Sequence, residues 1–288
     1  MTGPVVVGLD GSPASMTAAW WAAHEAADQR LPVELLYSWT TQPLDVPVRQ
    51  EADIRQRHGR DVLRRTAAEL LRRRGELRLT TELVSAPAAQ ALLERGAKAS
   101  MLVLGSRGYG SVASFLLGSI SLHVLGLAPC PAIAVRAGDP AVEAGWNHPA
   151  AADRDEVVVG LAECGAAADP LLEFAFAVAA PRGWRVRAVR ALPLSALAPV
   201  RDEDAEAEER VRLAQALAPW GERFPGVPVT GHVATGPAAQ VLLTASARGC
   251  LTVVGRRRHP SRLTWKLGPV SHAALHHVPC PIAVVPHD

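Results

Sequence analysis

The chain has 288 residues, 49% hydrophobic and 20% charged, with 30 Lys and Arg against 28 Asp and Glu. That length suits two domains with real cores, and a net charge of +2 is too small to make nucleic acid or a membrane the main partner. Cys130, Cys164, Cys250 and Cys280 show no CxxC spacing and read as reduced thiols of a cytoplasmic protein, with neither a signal-peptide segment nor the run of about twenty apolar residues that spans a membrane.

Val5–Leu9 reads as a buried strand ending at Asp10. Ser12-Pro13 caps a helix to about Asp28, in which Trp20 and Trp21 read as packing residues. Asp10 has two readings: it takes a ribose hydroxyl or a magnesium ion, or it and Ser12 cap the helix. Val33–Trp39 is a second strand. A loop at 40–48 leads to a basic amphipathic helix over Glu51–Arg74, whose Arg64, Arg65 and Arg72–Arg74 are balanced by Glu51, Asp53, Asp61 and Glu69. This is an exposed face, not a nucleic-acid stripe.

Leu79–Val84 is a third strand, Pro87–Lys98 a helix and Met101–Leu104 a fourth strand. Gly105, Gly108, Gly118 and Ser119 then punctuate the way into a helix over Gly118–Leu127, and Ala132–Arg136 closes the half as a fifth strand. A strand, a glycine loop and a helix start can hold a phosphate chain. Glycines let the backbone approach an anion, and the N–H groups at a helix start point at it. Ser119 and Ser121 add hydroxyls. No Lys follows Gly118 and the glycine offsets do not fit the dinucleotide fingerprint. The residues alone leave an anion or nucleotide site, or a plain connection.

The chain is then written again. PVVVGL at 4–9 returns as EVVVGL at 156–161, PAAQALL at 87–93 as PAAQVLL at 237–243, LVLGSR at 102–107 as TVVGRR at 252–257, and PCPAIAV at 129–135 as PCPIAVV at 279–285. Three of the four pairs share one offset, so two homologous domains follow, over 1–137 and 156–288. Gly138–Asp155, rich in Gly, Pro, Ala and charge, reads as their linker. The second half predicts strands at Val157–Leu161, Arg185–Arg190, Val229–Ala234, Thr252–Val254 and Ile282–Val285, and helices at Pro170–Ala180, Glu203–Arg223, Pro237–Arg248 and Gly268–His277. Apolar strands alternating with helices predict an α/β fold of two open parallel sheets covered on both faces. Ligands of such sheets lie beyond the C-terminal strand ends.

With Asp10 after the first strand, Gly105, Gly108, Gly118 and Ser119 as G-xx-G-x9-GS, and PCP before each last strand, the chain resembles the universal stress protein family in its tandem form. The resemblance implies five-stranded sheets of order 3-2-1-4-5 and ATP as the cofactor, with magnesium beside it. It implies that Gly8, Leu9 and Asp10 lie along adenine and ribose, with Asp10 on the ribose or the metal. Ser38 would meet the adenine edge through its backbone. Leu104, Gly105 and Gly108 would bracket ribose and phosphates, and Gly118, Ser119, Ile120 and Ser121 would hold the terminal phosphates. Arg107 is a phosphate neighbour by charge, or a solvated loop arginine.

The second half departs from this pattern: Gly108 becomes Arg258, Ser119 becomes Pro269, and Asp10 becomes Ala162. Arg258 is expected to fill phosphate space, Pro269 removes a backbone donor, and Ala162 removes the acid. The second domain is therefore expected not to bind ATP in the family manner. Arg256–Arg258 and Arg262 could hold another anion, or form a solvated basic loop. His272, His276 and His277 have a spacing that can bind zinc, but without an HExxH acid or third ligand they read as a polar helix face. The leading expectation is a cytoplasmic ATP-binding regulator that acts on a protein partner. The alternatives are a phosphotransfer or nucleotidyl-transfer enzyme, with at most slow ATP hydrolysis, and a scaffold. The family also pairs domains through the last strand, which would join Ala132–Arg136 to Ile282–Val285 in an intrachain pseudo-dimer, with a homodimer as a further option.

Overall fold

The computed structural model describes residues 2–40, 49–106, 118–145, 153–193, 203–258 and 267–288. The chain divides into two compact units, Met1–Ala150 and Ala151–Asp288.

The first unit runs β1 (Val5–Leu9), α1 (Pro13–Gln29), β2 (Val33–Thr40), α2 (Arg49–Arg73), β3 (Leu79–Pro87), α3 (Ala88–Gly96), β4 (Met101–Ser106), α4 (Ser119–Leu127), β5 (Ala132–Arg136) and α5 (Pro140–Ala144). Its strands lie in the order β3-β2-β1-β4-β5, and every pair is parallel. Val5–Val7 of β1 and Met101–Val103 of β4 are fully buried, because helices cover the middle of a parallel sheet on both faces. α1 packs with α2, and α3 with α4. The edge strand β3 exposes Thr80 and Thr81 and leaves Glu82 half-buried. There Arg95 of α3 pairs with both Glu82 and Glu34, tying the helix to the polar side of the edge.

The predicted caps explain α1. Ser12 Oγ accepts the Ser15 N–H at 3.2 Å with Pro13 in the first turn, and Arg30 closes the helix in the left-handed region at φ 56°. Trp21 is buried in the core. Trp20 lies under the Arg73 guanidinium, 4.2 Å from its ring centroid, a contact worth about 1 kcal/mol. Arg73 also donates to the Glu143 carbonyl at 2.9 Å, joining α2 to α5. That last helix lies within the segment expected as the linker, with Asp139 as its cap and Ala141 and Val142 buried.

The second unit repeats the plan with β6 (Glu156–Leu161), α6 (Asp169–Ala179), β7 (Arg185–Leu192), α7 (Glu203–Arg223), β8 (Val229–Thr235), α8 (Ala238–Ala245), β9 (Leu251–Arg257), α9 (Pro269–His277) and β10 (Ile282–His287). The order β10-β9-β6-β7-β8 is the same 3-2-1-4-5 arrangement of its own five strands, again all parallel. A cluster of Phe176, Trp220 and Phe224 packs α6 against the C-terminal end of α7, with ring centroids 5.3–6.4 Å apart. None of the four cysteines is in a disulfide, and burial pushes the Cys130 thiol up to about 12. Among the described residues no helix is long and apolar enough to cross a membrane.

Candidate functional site

Strand order in the first unit reverses between β1 and β4. A cavity of about 460 Å³ opens there beyond their C-terminal ends, the usual ligand position in an open α/β sheet. Of the residues singled out from the sequence, Gly8, Leu9, Asp10, Ser38, Leu104, Gly105, Gly118, Ser119, Ile120 and Ser121 all line it. Arg107 and Gly108 lie outside the described residues. The cavity also takes in Ser12, Ala14, Ser15, Leu36, Ala88 and Leu92. Leu36, Leu92 and Leu104 make an apolar wall, and Leu92 carried a readable signal, since it belongs to the PAAQALL repeat.

At the rim, Asp10 Oδ1 accepts the Ser12 N–H at 2.9 Å. The capping reading of this loop is therefore satisfied, and the carboxylate stays at the cavity. Burial and then the Asp10 charge hold the Tyr37 phenol above its ordinary value of 10.0. On the opposite rim, α4 begins at Gly118. Its first intrahelical bond runs from the Leu122 N–H to the Gly118 carbonyl at 3.0 Å, so the N–H groups of Ser119, Ile120 and Ser121 precede the ladder and can meet an anion. Ser121 Oγ donates to the Gly105 carbonyl at 3.5 Å. Its repeat partner Ser271 donates to the Gly255 carbonyl at 3.1 Å. This hydroxyl is a clip between helix and strand in both halves, a role its sequence did not suggest. Ser38 Oγ donates to the carbonyls of Thr40 and Ala86, fixing the end of β2.

The two glycines flanking the loop differ. A Cβ on Gly105 would stand 2.4–2.7 Å from backbone atoms of Ala14 and Ser15, so only glycine lets the start of α1 reach β4. A Cβ on Gly118 would meet nothing within 4 Å among the described residues.

The same architecture marks a known family. The model of the universal stress protein family matches residues 1–136 and again 154–286. The chain belongs to the universal stress protein family. A universal stress protein of Mycobacterium tuberculosis is 31% identical over 296 residues, covering 97% of this chain and 96% of the relative. One from Mycolicibacterium smegmatis is 29% identical over 291 residues, with 98% and 96% covered. The crystal structure of a universal stress protein from Archaeoglobus fulgidus superposes with a TM-score of 0.76 at 19% identity, covering 99% of this chain and 98% of that one, a likeness of fold.

The second copy of the universal stress protein fold has a smaller cavity at the matching place, about 280 Å³. Both volumes lie toward the lower end of the roughly 300 to 1,000 Å³ that small-molecule sites span. Ala162 stands in place of Asp10. Arg190 stands in place of Tyr37, since Leu161 pairs with Arg190 where Leu9 pairs with Tyr37. In the first copy the long helix leaves room for Tyr37 at Gly59. In the second, Glu209 of α7 fills the gap and accepts from Arg190 Nε at 2.7 Å, while Arg190 Nη1 donates to the Ala162 carbonyl. The guanidinium thus bonds to the backbone at the position of the missing acid.

Arg258 behaves otherwise than expected. It is half exposed and pairs with Asp288 at 3.9 Å, and it does not line the cavity. Its backbone N–H bonds to the His287 carbonyl, which carries it along the end of β10. Within the second cleft the arginine that lines the cavity is Arg190, not Arg258. The sequence signal was present in the Tyr-to-Arg exchange but was visible only once strand register was fixed. Among the described residues no cluster of three or more His, Cys, Asp or Glu is placed to hold a metal ion.

Proposed function

We propose that the chain is an ATP-binding regulatory protein of the stress response, with one nucleotide in the first-half cleft. The observation that carries this reading is the convergence of ten motif residues on one cavity of about 460 Å³, with three helix-start N–H groups on one rim and the Asp10 carboxylate on the other. The apolar wall of Leu36, Leu92 and Leu104 suits a purine. Gly8, Leu9 and the backbone of Ser38 run along base and ribose. Asp10 meets the ribose or a magnesium ion carried with the phosphates. The α4 start, with Arg107 and Gly108, receives the phosphate chain. The fit rests on the lining of the cavity, with the Asp10 carboxylate and the α4 start on opposite rims. The second cleft has lost the acid, one helix-start N–H and volume. Occupancy, rather than turnover, is the signal, read by a protein partner.

The melting temperature of the full chain tests this. ATP at about 100 times its Kd adds about 2.7 kcal/mol to the state that binds it, which raises the transition of a domain this size by roughly 5–10 °C. Gly118→Val adds a side chain to the cavity lining; it should fold, yet gain little from ATP. A wild-type transition that ATP leaves unmoved contradicts the proposal. Several turnovers per minute with a defined acceptor would replace it with an enzyme.

A further inference from the structure

The second copy carries a feature that its cleft does not use. α9 presents His272, His276 and His277 within its nine residues. A four-residue step brings two side chains onto one helix face a turn apart, and here the His272 and His276 rings meet with centroids 4.5 Å apart and planes tilted by 39°. His277 lies further round the helix, its ring centroid 6.3 Å from that of His276. His272 is exposed and His276 half-buried. Ala274 and Leu275 between them are buried and anchor the helix. Neither ring lines the cavity of this half, although Ser271 beside them does.

Imidazole nitrogen is a preferred ligand of zinc, copper and nickel, and two imidazoles one helical turn apart are the chelating pair of helical zinc sites. Because α9 already holds the rings together, little rotamer freedom remains to be lost on binding. His276 lies in the last turn of the helix, where the backbone dipole favours a cation. The repeat supplies a contrast. One offset earlier, the same positions are Leu122, Gly126 and Leu127 of α4, which cannot ligate, so the pair belongs to the second copy alone.

We propose that His272 and His276 form a two-imidazole site for a divalent first-row transition ion, with water completing the coordination sphere. The site stands apart from the nucleotide reading and survives its failure.

The experiment is calorimetric titration of the untagged, chelator-treated full chain with Ni2+, and separately with Cu2+ and Zn2+. The expected result is saturable uptake of one Ni2+ per chain, with Cu2+ bound more tightly. His272→Ala and His276→Ala should each weaken Ni2+ binding roughly tenfold or more, because a chelate becomes a single ligand. His277→Ala should stay within about twofold of wild type on the same reasoning. Alanine is the best helix former, so these variants should keep α9. His272→Gln, which retains polarity and length, separates ligation from surface change and should lose binding as His272→Ala does. Absence of saturable uptake, or full affinity in the His272 and His276 variants, overturns the site.

Discussion

Gly105 and Gly118 belong to one motif yet answer to different constraints. At Gly105 the neighbours are backbone atoms of α1 that cannot swing aside. Gly105→Ala should therefore destabilise the first unit by about 2–3 kcal/mol through overpacking, measured by denaturant unfolding. Gly118→Ala meets nothing among the described residues and loses only the mild advantage of glycine at a helix cap, about 0.5–1 kcal/mol. Sequence spacing pointed to both residues but could not separate them, because it records that glycine is present and not what presses on it. Ser121 repeats the lesson: its hydroxyl was legible as a donor, while the acceptor, the Gly105 carbonyl, needed the fold.

Between elements, the exchange of Tyr37 against Gly59 for Arg190 against Glu209 decides the shape of the second cleft. Glu209 is buried and its carboxyl is held below the ordinary 4.5, first by the hydrogen bond from Arg190, with the charges of Arg190 and Arg212 opposing the desolvation. Arg190→Ala leaves that carboxylate with the Arg212 guanidinium at 3.3 Å and the Cys164 thiol at 3.9 Å and should cost about 2–3 kcal/mol at neutral pH, below the full penalty of a deeply buried pair. A carboxyl whose folded value is lowered contributes stability that is complete above its unfolded value and is lost as pH falls through the folded one. The gap between wild type and Arg190→Ala should accordingly narrow as the pH drops below about 4.5, read by urea unfolding across pH. Arg190→Tyr with Glu209→Gly imports the first-half pairing and should cost less than the sum of the two single changes, the mark of coupled neighbours. Element types and most boundaries were legible because strand and helix periods were clean. α5 was not, since a five-residue helix amid Gly, Pro and Ala has too little periodicity to stand out. The Arg190 lock was missed because it joins two elements 19 residues apart across a register that sequence does not print.

Taken whole, the chain is one plan used twice with different outcomes. Both units keep the parallel order and the helix–strand clip at Ser121 and Ser271, so the scaffold was legible from the repeat alone. The contents of the two clefts diverged: Ala162 and Pro269 stand where the first half has Asp10 and Ser119, and Arg258, expected to enter the phosphate space, instead points toward Asp288. The central claim is that the N-terminal cleft takes the nucleotide and its twin does not. Photo-crosslinking of the full chain with an azido analogue of ATP, with labelled peptides mapped by mass spectrometry, tests it most directly. One label per chain, on peptides holding Gly8–Ser12 or Gly118–Ser121 and competed away by ATP, is the predicted result; label confined to residues 154–286, or none that ATP displaces, would contradict it.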